Sequence, residues 1–165
     1  MIPFVGGASK VFDDKARSSL PSWQPEIIAF CCGYCAYSAA ALAGSERLQY
    51  PPGVRIIQTP CTGKLEMEHI LEAFEKGVDG ILVVGCLEGG CHFVEGNLRA
   101  RKRTDRLRSI LDEIGLGSER LRMVNLSDAM AAAFVQHIQE TVQTVRALGP
   151  NPIKMPRQKE SAGEL

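Results

Sequence analysis

No apolar run in this 165-residue chain approaches the roughly 20 residues that a helix needs to cross a bilayer. The N-terminus lacks the charged region followed by a hydrophobic one that marks a secretory leader. Excess charge is also missing. Nineteen Lys and Arg balance nineteen Asp and Glu, so no overall field draws the protein to nucleic acid or to an anionic membrane. No internal repeat is visible. Nor does a G-x-G-x-x-G open a helix after a first strand, since "GCLEGG" at 85–90 does not fit that pattern, and any flavin or nicotinamide therefore belongs to a partner chain. These absences lead to the expectation of a cytoplasmic protein with no membrane span and no nucleic-acid partner.

What the chain does have is cysteine. Six in a secreted miniprotein would suggest three disulfides, but a helix-rich chain of this length without a leader points to reduced thiols. Clustered thiols in that setting serve metal binding or redox chemistry more often than crosslinking.

The organisation can be read from period and punctuation. Residues 1–25 show no sustained period and carry Pro3, Gly6, Gly7, Pro21 and Pro25, which predicts an irregular arm. Residues 150–165 contain Pro150, Pro152 and Pro156 and turn polar, a tail composition. Either end is suited to docking on another protein chain. Between them, 26–149 alternates strand-like and helix-like segments. "EIIAFCC", "VRIIQTP", "DGILVVGC" and "LRMVNL" are short apolar runs of the kind parallel strands need when both faces are covered. Met67, Ile70, Leu71 and Phe74 fall at i, i+3, i+4 and i+7, as do Leu107, Ile110, Leu111 and Ile114, and each set is one face of a helix. An alanine-rich helix follows the first strand. Ser127 is the expected N-cap of the last one, whose stripe is Phe134, Ile138, Thr141, Val145 and Leu148. Four such alternations predict an open, mostly parallel four-stranded α/β sheet with helices on both faces, in the flavodoxin-like order 2-1-3-4.

In such sheets ligands sit beyond the carboxyl ends of the strands, where strand order reverses. All six cysteines fall there. Cys31, Cys32 and Cys35 close the first strand, Cys61 the second and Cys86 the third, with Cys91 five residues later across a Gly-Gly turn. A lone cysteine ending a strand is usually a small buried hydrophobe, and that reading suits Cys31, which must point away from Cys32. Six out of six at one edge is a different matter. Cys32-Gly-Tyr-Cys35 at a strand-to-helix junction has the form of a thioredoxin-like thiol-disulfide pair, activated by the helix N-terminus. That reading leaves Cys61, Cys86 and Cys91 unused. Structural zinc usually takes two C-x-x-C knuckles, and only one is present. Iron-sulfur clusters collect their thiolates from separate loops, and the number and scatter of these cysteines favour one.

The stretch from about Phe30 to Pro150 resembles the delta subunit family of methyl-viologen-reducing hydrogenase. The pieces that carry the resemblance are C-x-x-C followed by Tyr37, Ala43 and Gly44, then "RLQYP", "CTGK", "GVDGILVVGC", "GGCH" and "EGN". It implies a non-catalytic electron-transfer subunit holding one 2Fe-2S cluster, with ligands drawn from Cys32, Cys35, Cys61, Cys86 and Cys91, five candidates for four positions. It further implies that electrons pass between a hydrogenase or other dehydrogenase module and the FAD-containing A-like subunit of a heterodisulfide reductase-type or related bifurcating complex. Relatives often carry Trp where this chain has Tyr34, and Cys31 stands outside the family's core motif.

Two further features stand beside the cysteines. His92 is expected to hydrogen-bond a sulfur rather than to ligate iron. In "RARKRTDRLR", Arg99, Arg101, Lys102, Arg103, Arg106 and Arg108 face one acid, Asp105, so the segment is either a solvated helix face or a docking patch for an acidic partner. No aromatic platform interleaves these charges, which argues against nucleic acid.

Overall fold

The computed structural model describes residues 23–154; most of the arm and residues 155–165 of the tail lie outside the described residues. Four parallel strands, β1 (Ile27–Cys32), β2 (Val54–Thr59), β3 (Gly80–Cys86) and β4 (Leu121–Leu126), form one sheet in the order β2-β1-β3-β4. Four helices connect or follow them: α1 (Ala36–Ser45), α2 (Met67–Glu75), α3 (Gly96–Glu113) and α4 (Ala131–Leu148). Two short 3-10 turns, Thr62–Lys64 and Ser118–Arg120, complete the architecture. The predicted fold class and strand order are those observed.

Strand alternation divides the core between the two faces of the sheet. Ile27, Ala29 and Cys31 of β1 pack with Leu82 and Val84 of β3 against Ala36, Ala39 and Ala43 of α1 and Phe134 and Ile138 of α4. Phe30, Ile81, Val83 and Leu121 face the other way, onto Ile70 and Phe74 of α2 and Leu107 and Leu111 of α3. Burying side chains of this size contributes about 1.5–3 kcal/mol each. Strand β3 is buried along its whole length, which is why its sequence is a continuous apolar run. At the edge, β2 is half covered, and Ile57 stays exposed.

One terminus departs from expectation. Ser127 is not the N-cap of α4, because a turn over 127–130 intervenes and the helix starts at Ala131, with Met130 in the capping position and no side-chain cap. Thr141, on the predicted stripe, is buried and donates its hydroxyl to the His137 carbonyl, so it lies in the core without an orphaned polar atom.

Register decides what meets at the top of the sheet. Cys32 pairs with Thr59, Cys31 with Val84 and Cys86 with Leu126, so β1, β2 and β3 end at nearly one level. The order reverses between β1 and β3. Their loops and the one after β2 therefore converge at the switch point.

Candidate metal centre

Strand ends deliver the sulfurs and the following turns orient them. Cys32 Sγ lies 3.4 Å from Cys86 Sγ, with both residues about 1 % exposed. Cys35, at the N-cap of α1, also interacts with Cys86; burial first, then these two neighbours, push the Cys86 thiol strongly up. Cys61 and Cys91 form the second group, in contact with each other, and Cys61 also senses the charge of Cys32. Five sulfurs thus stand in one region as two sets.

The second set is built around helix starts. Cys61 is the N-cap of the 3-10 turn, and its Sγ accepts the Gly63 N–H at 3.4 Å. Burial still leaves its thiol above the ordinary range. Cys91 ends lower than an ordinary thiol: burial raises it, but the nearby backbone N–H groups of Asn97, Phe93 and Gly96 outweigh that effect. The N–H groups of Gly96 and Asn97 are free donors at the start of α3, which has no side-chain cap. The Cys91 sulfur lies close to this helix start. Val94, with φ of 61°, is the tight point that permits this wrap, held by its N–H to the Cys91 carbonyl at 3.0 Å.

Glycines let these segments approach. A Cβ on Gly96 would overlap Cys61 Sγ and stand 3.4 Å from Cys91 Sγ; one on Gly63 would lie 2.7 Å from the Gly96 Cα. Around them polar side chains fix the loops. Buried Asn97 donates to the carbonyls of Cys86 and Leu87, both at 3.0 Å, and Asn125 also bonds the Cys86 carbonyl. Arg103 reaches back from α3 to donate to Gly63 O at 2.7 Å and Leu65 O at 3.3 Å, while pairing with Glu66 at 3.5 Å. Arg103→Leu is expected to loosen the Cys61 turn, read as faster amide exchange at Gly63 and Lys64 with no comparable change at β4.

Residue chemistry alone does not single out Gly63, Gly96, Asn97 and Arg103. For the first three the signal lies in the "CTGK" and "EGN" pieces, where small and amide residues stand close to a turn that carries a thiol. The basic stretch divides. Arg101 and Arg103 turn inward, Arg101 to Asn125 and to Glu88 at 3.7 Å, whereas Lys102, Arg106 and Arg108 are exposed. His92 does not hydrogen-bond a sulfur. Its ring stacks on Tyr34 with centroids 3.9 Å apart, and Phe93 packs edge-on to both, joining the Cys32–Cys35 loop to the Cys91 loop. The donors to sulfur are backbone amides, which reach it without a long side chain.

Cys31 stands apart. It is fully buried in the α1/α4 side of the core, and burial, with Cys32 beside it, pushes its thiol up to about 12. Cys31→Ala is expected to leave metal content unchanged and to cost about 1–2 kcal/mol of stability, measured by iron analysis and urea unfolding of the same preparation.

The donor set can be tested against the possible metals. Among the described residues, no group of three or more His, Cys, Asp or Glu side chains is arranged to hold a single metal ion. Five thiols in two neighbouring sets supply the donor type that an iron-sulfur cluster takes. The C-x-x-C pair does not have the arrangement of a redox dithiol. Cys32, which would be the attacking thiol, is buried and turned to Cys86, and it is Cys35 that sits at the helix start.

Known proteins similar to this chain include several named as iron-sulfur subunits. The profile of the family described as methyl-viologen-reducing hydrogenase, delta subunit, matches residues 27–149. The F420-non-reducing hydrogenase vhu iron-sulfur subunit of Methanocaldococcus jannaschii is 47 % identical over 130 residues, 79 % of this chain and 97 % of that protein. The F420-non-reducing hydrogenase iron-sulfur subunit of Archaeoglobus profundus is 41 % identical over 128 residues, 78 % of this chain and 93 % of that one. The A subunit of the ferredoxin:CoB-CoM heterodisulfide reductase of Methanosarcina mazei is 38 % identical over 149 residues, 90 % of this chain but 19 % of that longer protein.

Proposed function

Because the chain belongs to the methyl-viologen-reducing hydrogenase delta subunit family, we propose that it is an electron-transfer subunit carrying one 2Fe-2S cluster at the top of its sheet. The observation that carries this reading is the division of five thiols into two neighbouring sets at the switch point. Cys61 and Cys91 would hold one iron. Two of Cys32, Cys35 and Cys86 would hold the other.

When bound, such a cluster accepts and returns one electron at a time. The chain's own residues supply the rest. The Gly63 amide donates to Cys61 Sγ, and the amides of Phe93, Gly96 and Asn97 lie near Cys91, so partial positive charge beside both residues would favour the thiolate form and raise the reduction potential relative to bare sulfurs. Burial of Cys32 and Cys86 excludes water from the opposite side. Asn97 and Arg103 keep the ligand loops from moving as charge changes.

The relatives support a proposal for the partners. Iron-sulfur subunits of hydrogenases are similar along almost their whole length, and the A subunit of a heterodisulfide reductase contains a similar segment within its own chain. We therefore place this protein between a hydrogenase or other dehydrogenase module and an FAD-containing reductase A-like subunit, in a bifurcating complex that works in the cytoplasm. Anaerobically purified protein should contain about two irons per chain and show sulfur-to-iron charge-transfer absorption. Stoichiometric zinc without iron would overturn the proposal. Disulfide-reductase turnover in metal-free protein, lost in Cys35→Ser, would favour the thiol-disulfide alternative instead.

A further inference from the structure

A cavity of about 420 Å³ opens beside the second sulfur set, lined by Pro60, Cys61, Gly63, Lys64, Phe93 and Gly96, with Arg99 at its edge. We infer that this cavity is the port through which electrons enter or leave, and that it receives an acidic surface loop of the redox protein that exchanges them. The inference rests on the cluster reading above and adds the chemistry of the partner and its point of contact.

Position is the first argument. Cys61 lines the cavity, with Gly63 and Gly96 beside it. A partner seated there stands next to a residue that the cluster reading makes a ligand. Electron tunnelling falls steeply with distance, so a short approach to a ligand favours transfer.

Charge is the second. No carboxylate lines the cavity among the described residues, while two cations do. Lys64 is exposed and forms no ion pair among the described residues. Arg99 has Glu95 at 3.9 Å, with both side chains more than 60 % exposed, a pairing worth at most about 1 kcal/mol. Both remain available. Arg101 and Arg103, by contrast, are turned to Asn125, Glu88, Glu66 and main-chain carbonyls. Since the chain as a whole is neutral, steering of a partner depends on such a local field, and this one selects for negative charge.

The rim supplies the apolar part of an interface. Phe93 is 50 % exposed and Val94 82 %, side by side on the loop that wraps Cys91. Exposed aromatics ringed by cations form the contact core and steering rim of a transient complex. The cavity offers a small-molecule ligand only two cations, on flexible side chains. It suits a carboxylate delivered by a protein surface.

Two measurements test the port. In the first, dithionite-reduced protein, freed of excess reductant, is mixed with ferricyanide or hexaamminecobalt(III). Each takes one electron from the protein, giving ferrocyanide or cobalt(II), with no bond to the protein formed. Lys64→Glu with Arg99→Glu should slow the trianion about tenfold or more at low salt and speed the trication, and the effect should fade as salt is added. Lys64→Gln with Arg99→Gln should change both rates in the same directions by less. Iron content should stay at the wild-type value in all of them. Equal rates in all variants, or the same response from Arg106→Glu with Arg108→Glu, would overturn the inference. The second measurement needs no cluster. An acetylated Glu-Glu-Phe-Glu-Glu amide is coupled to the full chain with a carbodiimide, which leaves as its urea as the glutamate–lysine amide forms. Coupling concentrated at Lys64 supports the port; an even spread over Lys64, Lys76 and Lys102 removes it. Protein that binds no iron but still couples at Lys64 would sink the cluster reading and leave the acidic-docking site standing.

Discussion

Gly96→Ala is expected to give a folded protein that has lost its hold on iron, by about tenfold or more in retention against a chelator. The reason is steric and local. The added methyl would occupy the space of Cys61 Sγ and press on Cys91 Sγ, the two sulfurs of one set. Cys61 cannot retreat by bending its backbone, because its carbonyl accepts the Lys64 N–H at 2.9 Å and the turn after it is fastened by Arg103. It can only swing its sulfur away, which would take a proposed ligand out of place. Helix propensity works the other way, since alanine is favoured over glycine in a helix by about 0.8–1.0 kcal/mol. A loss of iron therefore cannot be ascribed to a weaker helix. Gly44→Ala is the matched control: that glycine lies near the end of α1 with nothing within 4 Å of an added Cβ, and its iron content should equal that of the wild type. Circular dichroism, visible absorption and iron analysis on both variants decide the matter. Full iron in Gly96→Ala would mean that the Cys61–Cys91 set does not hold the cluster.

Gly96 also marks the boundary of what a sequence displays. The strands are legible because burial on both faces leaves its mark as unbroken apolar runs; β3 shows it best, with Asp79 before it and Gly85 near its end. Helices α2 and α3 are legible from their stripes: Ile70, Phe74, Leu107 and Leu111 pack on the sheet, whereas Leu71 and Ile114, at the borders of the stripes, stay exposed. The strand order then brings the cysteines together. How helix starts are satisfied is not visible in the same way. The preference for a Ser or Asp cap points to Ser127, where none forms. At α3 no side chain caps the start, and the backbone N–H groups of Gly96 and Asn97 lie near the sulfur of Cys91, five residues before Gly96, and lower its thiol.

His92 departs from expectation for a similar reason. A histidine next to a cysteine suggests a bond to its sulfur, yet consecutive residues on a tight loop point in different directions. The ring finds an aromatic partner across the loop in Tyr34.

The second large effect concerns the far end of the sheet, where the sequence offers no hint at all. Arg120→Met is expected to destabilise the protein by about 3–5 kcal/mol, a large share of a typical folding free energy of about 5–15 kcal/mol. The side chain is 3 % exposed and donates to five carbonyls: Leu116 at 3.0 Å, Asp79 at 2.9 Å, Gly149 at 3.0 Å, Pro150 at 3.1 Å and Leu148 at 3.4 Å. Beside it the Asp79 carboxylate is wholly buried, accepting the N–H groups of Glu26 at 2.9 Å and Asn151 at 2.8 Å. Asn151 in turn donates to Phe74 and Val78, so the first residues after α4 are tied into the fold. Methionine fills the volume but leaves those carbonyls without donors and Asp79 with only the half-exposed Lys154, at 3.8 Å, for a cation among the described residues. Arg120→Lys should recover only part of the loss, since one ammonium cannot span the carbonyls that the guanidinium fork reaches. The measurement is the urea midpoint of iron-loaded protein at unchanged m-value. Strand β3, seven residues and about 20 Å long, separates Asp79 from Cys86. Iron per folded chain should therefore be unaffected at low temperature. Loss of iron in parallel with stability would mean that the cluster site and the base of the sheet are one cooperative unit, and that the metal centre is built on the whole fold and not on its upper loops alone.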